Sequence, residues 1–320
     1  MNQLLTFLPI LMIYAGCAGD PPKVNTGNAS PPPQKREVPV FSGKNAFEHL
    51  TKQVSFGPRN PGSRGHSACL DFLTSELRGL ASSVETQPFP HLGYEGERLN
   101  LTNIIARFQP ELPSRVLLCA HWDTRPRADQ DENQSRQEEP IPGANDGASG
   151  VAVLLELARI FKEHPPAMGV DIVFFDGEDY GKEGDVPRYL LGSKHFALNL
   201  PAGHPYRFGL LLDMVGDKHL ELPQEQYSLK YAGDIVSLVW GKARELGYLQ
   251  FIQMPGEAVI DDHLPLNEVG IKTIDIIDFD YPDPTNRFWH THQDTPENCS
   301  PESLEAVGTV LTHVLYTLSP

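Results

Sequence analysis

The sequence predicts an α/β fold, a mixed, mostly parallel twisted central sheet flanked by helices on both faces, with a cation site at the carboxyl ends of the strands. Three observations predict it. Residues 170–175 form a run of β-branched and aromatic side chains interrupted only by Asp171, as expected of a strand covered on both faces, and the run stops abruptly at Asp176-Gly177-Glu178-Asp179. Residues 116–120 and 208–212 repeat the arrangement, ending in His121-Trp122-Asp123 and in Asp213. Val151, Leu154, Leu155, Ala158 and Phe161 fall at helical spacing, a stripe that can lie against such a sheet. Ligands in these sheets bind just outside the carboxyl ends of the strands. Glu178 beside Asp179 costs repulsion that a cation relieves, although that pair taken alone is also compatible with a solvated acidic turn.

The 320 residues, 40% hydrophobic and 21% charged, suit one large folded domain, placed at residues 43–320. With 26 Lys and Arg against 42 Asp and Glu the formal charge is −16, which excludes a nucleic-acid partner needing a basic footprint. A monomer is expected.

At the amino terminus, residues 4–14 are almost continuously apolar and lead into Ala15-Gly16-Cys17, an export signal over residues 1–17 too short to span a bilayer as a stable anchor. Its small-small-Cys ending resembles a bacterial lipoprotein signal, which implies lipidation of Cys17, attachment to a membrane through that lipid, and a periplasmic or cell-envelope location. An ordinary cleaved signal or an uncleaved anchor is the alternative, since no Lys or Arg precedes the apolar run and Tyr14 stands where an aliphatic residue is usual. Residues 18–42, with Pro21, Pro22, Pro31, Pro32 and Pro33 among Asn, Ser and Gly, read as a flexible tether.

Taking the body in order, residues 45–54 suit a first helix, and turn residues 56–63 feed a second over 64–80 that Ser63 can cap. Residues 84–87 and 101–108 have strand composition and form a hairpin or edge pair. After the strand at 116–120, His121 and Asp123 stand two apart and share a face, where a carboxylate can orient a metal-binding imidazole; a structural role is the alternative. Residues 125–140 are a long polar loop, a functional rim or local disorder. It closes on Gly143-Ala144-Asn145-Asp146-Gly147, so Asp146 sits at the turn into the helix that carries Val151 to Phe161, where capping is its plain alternative. A helix starts near Ser193, another spans 235–246, residues 260–263 are a loop, and residues 271–279 form a fourth sheet strand. The last helix starts at Ser300-Pro301, a cap followed by proline in the first turn. Cys119 lies within a strand as a small buried hydrophobe, while Cys69 and Cys299 can pair only if the fold brings them together.

Asp146 in its glycine-rich turn, Glu178-Asp179 after the strand, Asp213, a late His290 and the upstream His121-Trp122-Asp123 together resemble the zinc-dependent aminopeptidases and their relatives, the animal-type glutaminyl cyclases. The likeness runs from about Phe56 to the end. It implies zinc at the carboxyl ends of a mixed sheet, ligated by Asp146, Asp179 and His290, with Glu178 as general base and acid. His121 and Asp213 match the ligands of a second zinc in the aminopeptidases, where Asp146 bridges the two metals. In cyclases, which bind one zinc, the aspartate matching Asp213 joins a hydrogen-bond chain with the catalytic glutamate and a further aspartate, matched to Asp262. Residues 174–178, Asp262-His263-Leu264-Pro265, Trp289 before His290, residues 212–216, residues 102–106 and Pro61-Gly62-Ser63 resemble the cyclases. Two departures stand out. Residues 179–191 lack the tryptophan that lines the animal cyclase pocket, leaving Tyr180 or Tyr189 to substitute, and Asp179 replaces the usual glutamate ligand.

The resemblance thus implies a cyclotransferase converting amino-terminal glutamine of peptides and proteins to pyroglutamate with release of ammonia, with one zinc and with Glu178, Asp213 and Asp262 catalytic. Trp289 and Ile260 would touch the glutamine side chain, although each could equally fill core. The alternative is a dizinc aminopeptidase; a third class, a tethered binding protein that lost its chemistry, is opposed by the complete set Asp146, Glu178, Asp179 and His290.

Overall fold

The computed structural model describes residues 37–200 and 206–319, together with residues 9, 11, 12, 15 and 16. Cys17, most of the export signal and the tether up to residue 36 lie outside the described residues. Packing begins inside the expected tether, because Phe41 is buried against Gly308, where a Cβ would stand 2.2 Å from its ring. Among the described residues no helix is long and apolar enough to cross a membrane.

The apolar runs form β3 (Arg115–His121), β4 (Gly169–Phe175) and β5 (Tyr206–Asp213). Every residue of β3 and β4 is buried because alternate side chains enter opposite cores. Val116, Leu118, Ala120, Ile172, Phe174, Leu210 and Leu212 join one cluster, whereas Leu117, Cys119, Val173, Phe175 and Leu211 join another. The first face is covered by α1 (Gly43–Val54), α2 (Arg64–Leu80), α3 (Ala148–Glu163), α5 (Gln226–Leu246) and α7 (Pro301–Thr317). The second is covered by α4 (Leu191–Leu198) and α6 (His263–Glu268) through Phe196 and Leu266. Ser63 caps α2 and Ser300 caps α7, each accepting the backbone N–H three residues on.

With β1 (Ser83–Leu92), β2 (Arg98–Phe108) and β8 (Thr273–Ile277), the sheet runs β1-β2-β4-β3-β5-β8. The pairs β1/β2 and β2/β4 are antiparallel, and β4/β3, β3/β5 and β5/β8 are parallel. Parallel register has one consequence for function. Opposite His121 lies Phe175, and opposite Asp213 lies Ile277, so four strands deliver their carboxyl ends to one edge. Gly150 lets the first turn of α3 approach that edge, since a Cβ there would stand 2.2 Å from the Leu212 carbonyl oxygen.

Several elements differ from expectation. The fourth strand is shorter, α6 begins at His263 where a loop was expected, and a short parallel pair, β6 (Leu222–Gln224) with β7 (Phe251–Pro255), is added. Elements of three to six residues are too short to display a period. Cys69 and Cys299 do not pair; both are free and buried, as is Cys119.

Just beyond β8, Asp278 is 1% exposed, and its carboxylate accepts from the N–H groups of Glu221 at 2.8 Å and Asp280 at 3.3 Å. Burial pushes its pKa from 3.8 up to about 8. Between those values the folded state holds a proton that the unfolded state has released, so this group's contribution to stability falls as pH rises and levels off above about 8. Asp278→Asn, neutral throughout, is expected to gain melting temperature over wild type by a margin that widens from about pH 5 to about pH 9. Calorimetry at the two pH values checks this, and a constant margin would show that Asp278 does not titrate in that range.

Candidate metal centre

The carboxyl edge of the sheet gathers its side chains from the last residues of β3 and β5, His121 and Asp213, and from the turns beyond the strands. After β4, the chain bends at Gly177, and the Asp123 carboxylate accepts the N–H of Glu178 at 3.0 Å and of Asp179 at 3.4 Å. Asp123 therefore fixes the acidic turn while lying 3.6 Å from His121 Nδ1. At the start of α3 the cap is Gly147, not Asp146, and it makes no side-chain cap bond. Its φ of +99° and a would-be Cβ only 2.5 Å from the Asp123 carbonyl oxygen require glycine there. Asp146 is thereby free to turn inward, and Asp294 holds its loop by accepting from the N–H groups of Asn145 at 2.7 Å and Asp146 at 3.1 Å.

The Asp146 carboxylate lies between two imidazoles. Its Oδ1 is 3.3 Å from His121 Nε2, and its Oδ2 is 3.5 Å from His290 Nε2. On the first side His121 Nε2 is 3.1 Å from Asp213 Oδ1; on the second His290 Nε2 is 3.4 Å from Asp179 Oδ2. Two groups capable of holding an ion result, Asp146 with Asp179 and His290, and Asp146 with His121 and Asp213. Their fit to zinc can be tested on the second of these separations and on satisfaction of polar atoms. Bonds of about 2.0 Å to N and O ligands give a tetrahedral edge of about 3.3 Å, close to the 3.4 and 3.5 Å found around His290. Asp179 Oδ2 is also buried with no hydrogen-bond partner, a costly state for a carboxylate that a cation would relieve. The residues fit.

Electrostatics divides the acids. Burial opposes ionisation of Asp179, but His290 and Arg125 beside it hold its carboxyl below the usual range. Glu178, its neighbour, is pushed well above that range by burial and by Asp179. Burial also raises Asp213 and Asp261, and raises Asp275 strongly with Asp261 and Asp213 adding to it.

Glu178, Asp213, Trp289 and Ile260, together with the three-ligand set, line one cavity of about 90 Å³. The Trp289 ring stacks on His290 at 3.7 Å and meets Phe279 edge-on at 5.2 Å, so it forms a wall rather than core. Ile260, 51% exposed, stands at the rim. Of the two tyrosines left to replace the missing tryptophan, Tyr189 lines the cavity, while Tyr180 is turned away and bonded to Tyr94 and Glu97. Asp262 requires correction: its carboxylate accepts from the Ser193 hydroxyl, and the aspartate lining the cavity is Asp261. The adjacent pair reads alike in sequence, and only the turn into α6 decides which member faces inward. Sequence reasoning also missed Phe279, Asp275 and Arg125, the last of which meets Asp179 across 54 positions of chain. His290 and Met214 hold φ of 54° and 49°, left-handed backbone of the kind that concentrates at functional sites.

Comparison with known proteins agrees with this fold. The chain is 26% identical over 282 residues, 79% of its length and 70% of the relative's, to a glutaminyl-peptide cyclotransferase-like protein of Bos taurus. Its fold superposes with a TM-score of 0.84 on a glutaminyl cyclase of Bacteroides thetaiotaomicron bound to N-acetylhistamine, at 39% identity over 88% of this chain and all of that one. A zinc-dependent exopeptidase of Parabacteroides distasonis matches with the same TM-score and coverage at 41% identity. Residues 103–315 match the model of peptidase family M28, so this chain, an α/β protein with its acids and imidazoles gathered at the carboxyl edge of a mostly parallel sheet, belongs to the M28 family.

Proposed function

We propose that this protein is a zinc-dependent glutaminyl-peptide cyclotransferase. The observation that carries the reading is the company Glu178 keeps: Asp213 and Asp261 line the same cavity, with Asp275 behind them, and burial pushes all three towards retaining their protons. Carboxyl groups so crowded do not all ionise together, which suits the hydrogen-bond chain that the cyclase resemblance implies.

Asp146, Asp179 and His290 hold the zinc, which when bound supplies Lewis-acid polarisation of the γ-amide carbonyl. Trp289, Phe279 and Tyr189 wall the glutamine side chain, and Ile260 covers it at the rim. Glu178, whose affinity for a proton is raised, takes one from the α-amine of the substrate. The amine nitrogen then forms a bond to the γ-amide carbon, the carbon–nitrogen bond of the amide breaks, and Glu178 returns the proton to the departing ammonia. No water is consumed.

The second reading, a dizinc aminopeptidase, is favoured by one observation, the second group of His121, Asp146 and Asp213. Mass spectrometry of a glutamine-initiated peptide incubated with zinc-loaded protein separates the two. Loss of one ammonia from an intact chain is expected; loss of the whole first residue, there or from a leucine-initiated peptide, would overturn the cyclase reading.

A further inference from the structure

We propose that Arg125 and Asp129, from the long loop that follows β3, are positioning residues for the metal centre, aiming the Asp179 and His290 side chains at a common point. Arg125 is almost completely buried. Its Nη1 donates to Asp179 Oδ1 at 2.6 Å, while its Nε and Nη2 donate to the two oxygens of Asp129 at 2.7 and 2.5 Å. The guanidinium is a planar fork with donors in fixed directions, so two carboxylates gripped by it have little freedom to rotate. With Oδ1 engaged, Asp179 has one oxygen left, and that oxygen is the buried, unpartnered Oδ2 lying 3.4 Å from His290 Nε2. An aspartate is one methylene shorter than the glutamate usual at this position, so its single free oxygen needs a defined direction.

The other carboxylate of the pair addresses His290. Asp129 Oδ1 lies 3.7 Å from His290 Nδ1, across the ring from the Nε2 that faces Asp146 and Asp179. At that separation the carboxylate acts through its charge, which favours the tautomer with the proton on Nδ1 and the Nε2 lone pair free for metal. Two further contacts bind the loops together. Gln130 N–H donates to the His290 carbonyl oxygen at 3.3 Å, and the Asp131 carboxylate accepts the His292 N–H at 3.0 Å. Arg125 also lies under the Tyr189 ring, 5.5 Å from its centre, so the same cation supports a wall of the cavity. The loop therefore serves as a brace for the centre.

The inference rests on the ligand set Asp146, Asp179 and His290, and its test reads metal binding rather than turnover. Zinc affinity, by competition with a chromogenic chelator, and the visible spectrum of the cobalt-substituted protein are measured for wild type, Arg125→Gln, Arg125→Lys and Asp129→Asn. Asp129→Asn leaves the Arg125–Asp179 contact in place, so the test does not depend on removing a buried cation. Zinc affinity is expected to fall about 10–100-fold in Arg125→Gln and in Asp129→Asn, with altered cobalt bands. Arg125→Lys, which keeps the charge and loses the fork, should fall between them and wild type. Wild-type affinity and spectrum in both Arg125→Gln and Asp129→Asn would overturn the inference, even with a lowered melting temperature of the zinc-free form, because that pattern is purely structural support. A wild-type protein that binds no zinc would instead overturn the ligand assignment beneath it.

Discussion

Glu178→Gln loses turnover of glutamine-initiated peptides by at least about 10²–10⁴-fold, the usual worth of a positioned general base, while zinc remains bound. The substitution keeps the shape of the side chain and removes its ability to take and return a proton. Glu178 lies in the cavity but outside the group Asp146, Asp179 and His290, so metal content should not follow activity. Its backbone N–H, donated to Asp123, is untouched, and the turn that presents Asp179 should keep its form. Kinetic assay and metal analysis of the same preparation check both halves. An active variant would place the base elsewhere, and an inactive one stripped of zinc would make Glu178 a ligand.

His290→Ala should lose zinc and activity together. Removing one of three protein ligands ought to lower affinity by more than the about 10–100-fold that loss of an outer partner costs. The imidazole also separates Asp146 Oδ2 from Asp179 Oδ2, at 3.5 and 3.4 Å, so its loss leaves two buried carboxylates facing one another without it. Full zinc occupancy after dialysis of His290→Ala would refute the ligand assignment. His121→Ala in the same assay discriminates the two reactions. In a one-zinc cyclase it keeps the metal stoichiometry of wild type, because His121 serves by its hydrogen bond to Asp213; in a dizinc aminopeptidase the stoichiometry falls by one.

Much of the fold was legible because its signals are local. The strands that became β3, β4 and β5 have predominantly apolar interiors, a pattern that burial on two faces accounts for. The caps of α2 and α7 are set by residues three apart. Signals weakened as elements shortened, which is why α6, β6 and β7 escaped notice. Within the site, chemistry-bearing residues at the carboxyl ends of strands could be named one at a time, while their mutual distances could not.

By itself the sequence determined the layered α/β class, the acid and imidazole at the ends of its buried strands, and the glycine turn that carries Asp146. The tertiary structure decided how these meet. The order β4-β3-β5-β8 sets the ends of β3 and β5 side by side, so that His121 reaches Asp213 across 92 positions of chain. It decided that Asp146 turns towards two imidazoles instead of capping α3, that Asp261 rather than Asp262 faces the cavity, and that Arg125 meets Asp179 across 54 positions. Backbone propensity and hydrophobic period act over a few residues. Ligand geometry depends on sheet order and on the rotation of single turns, which emerge only when the separate elements pack against one another.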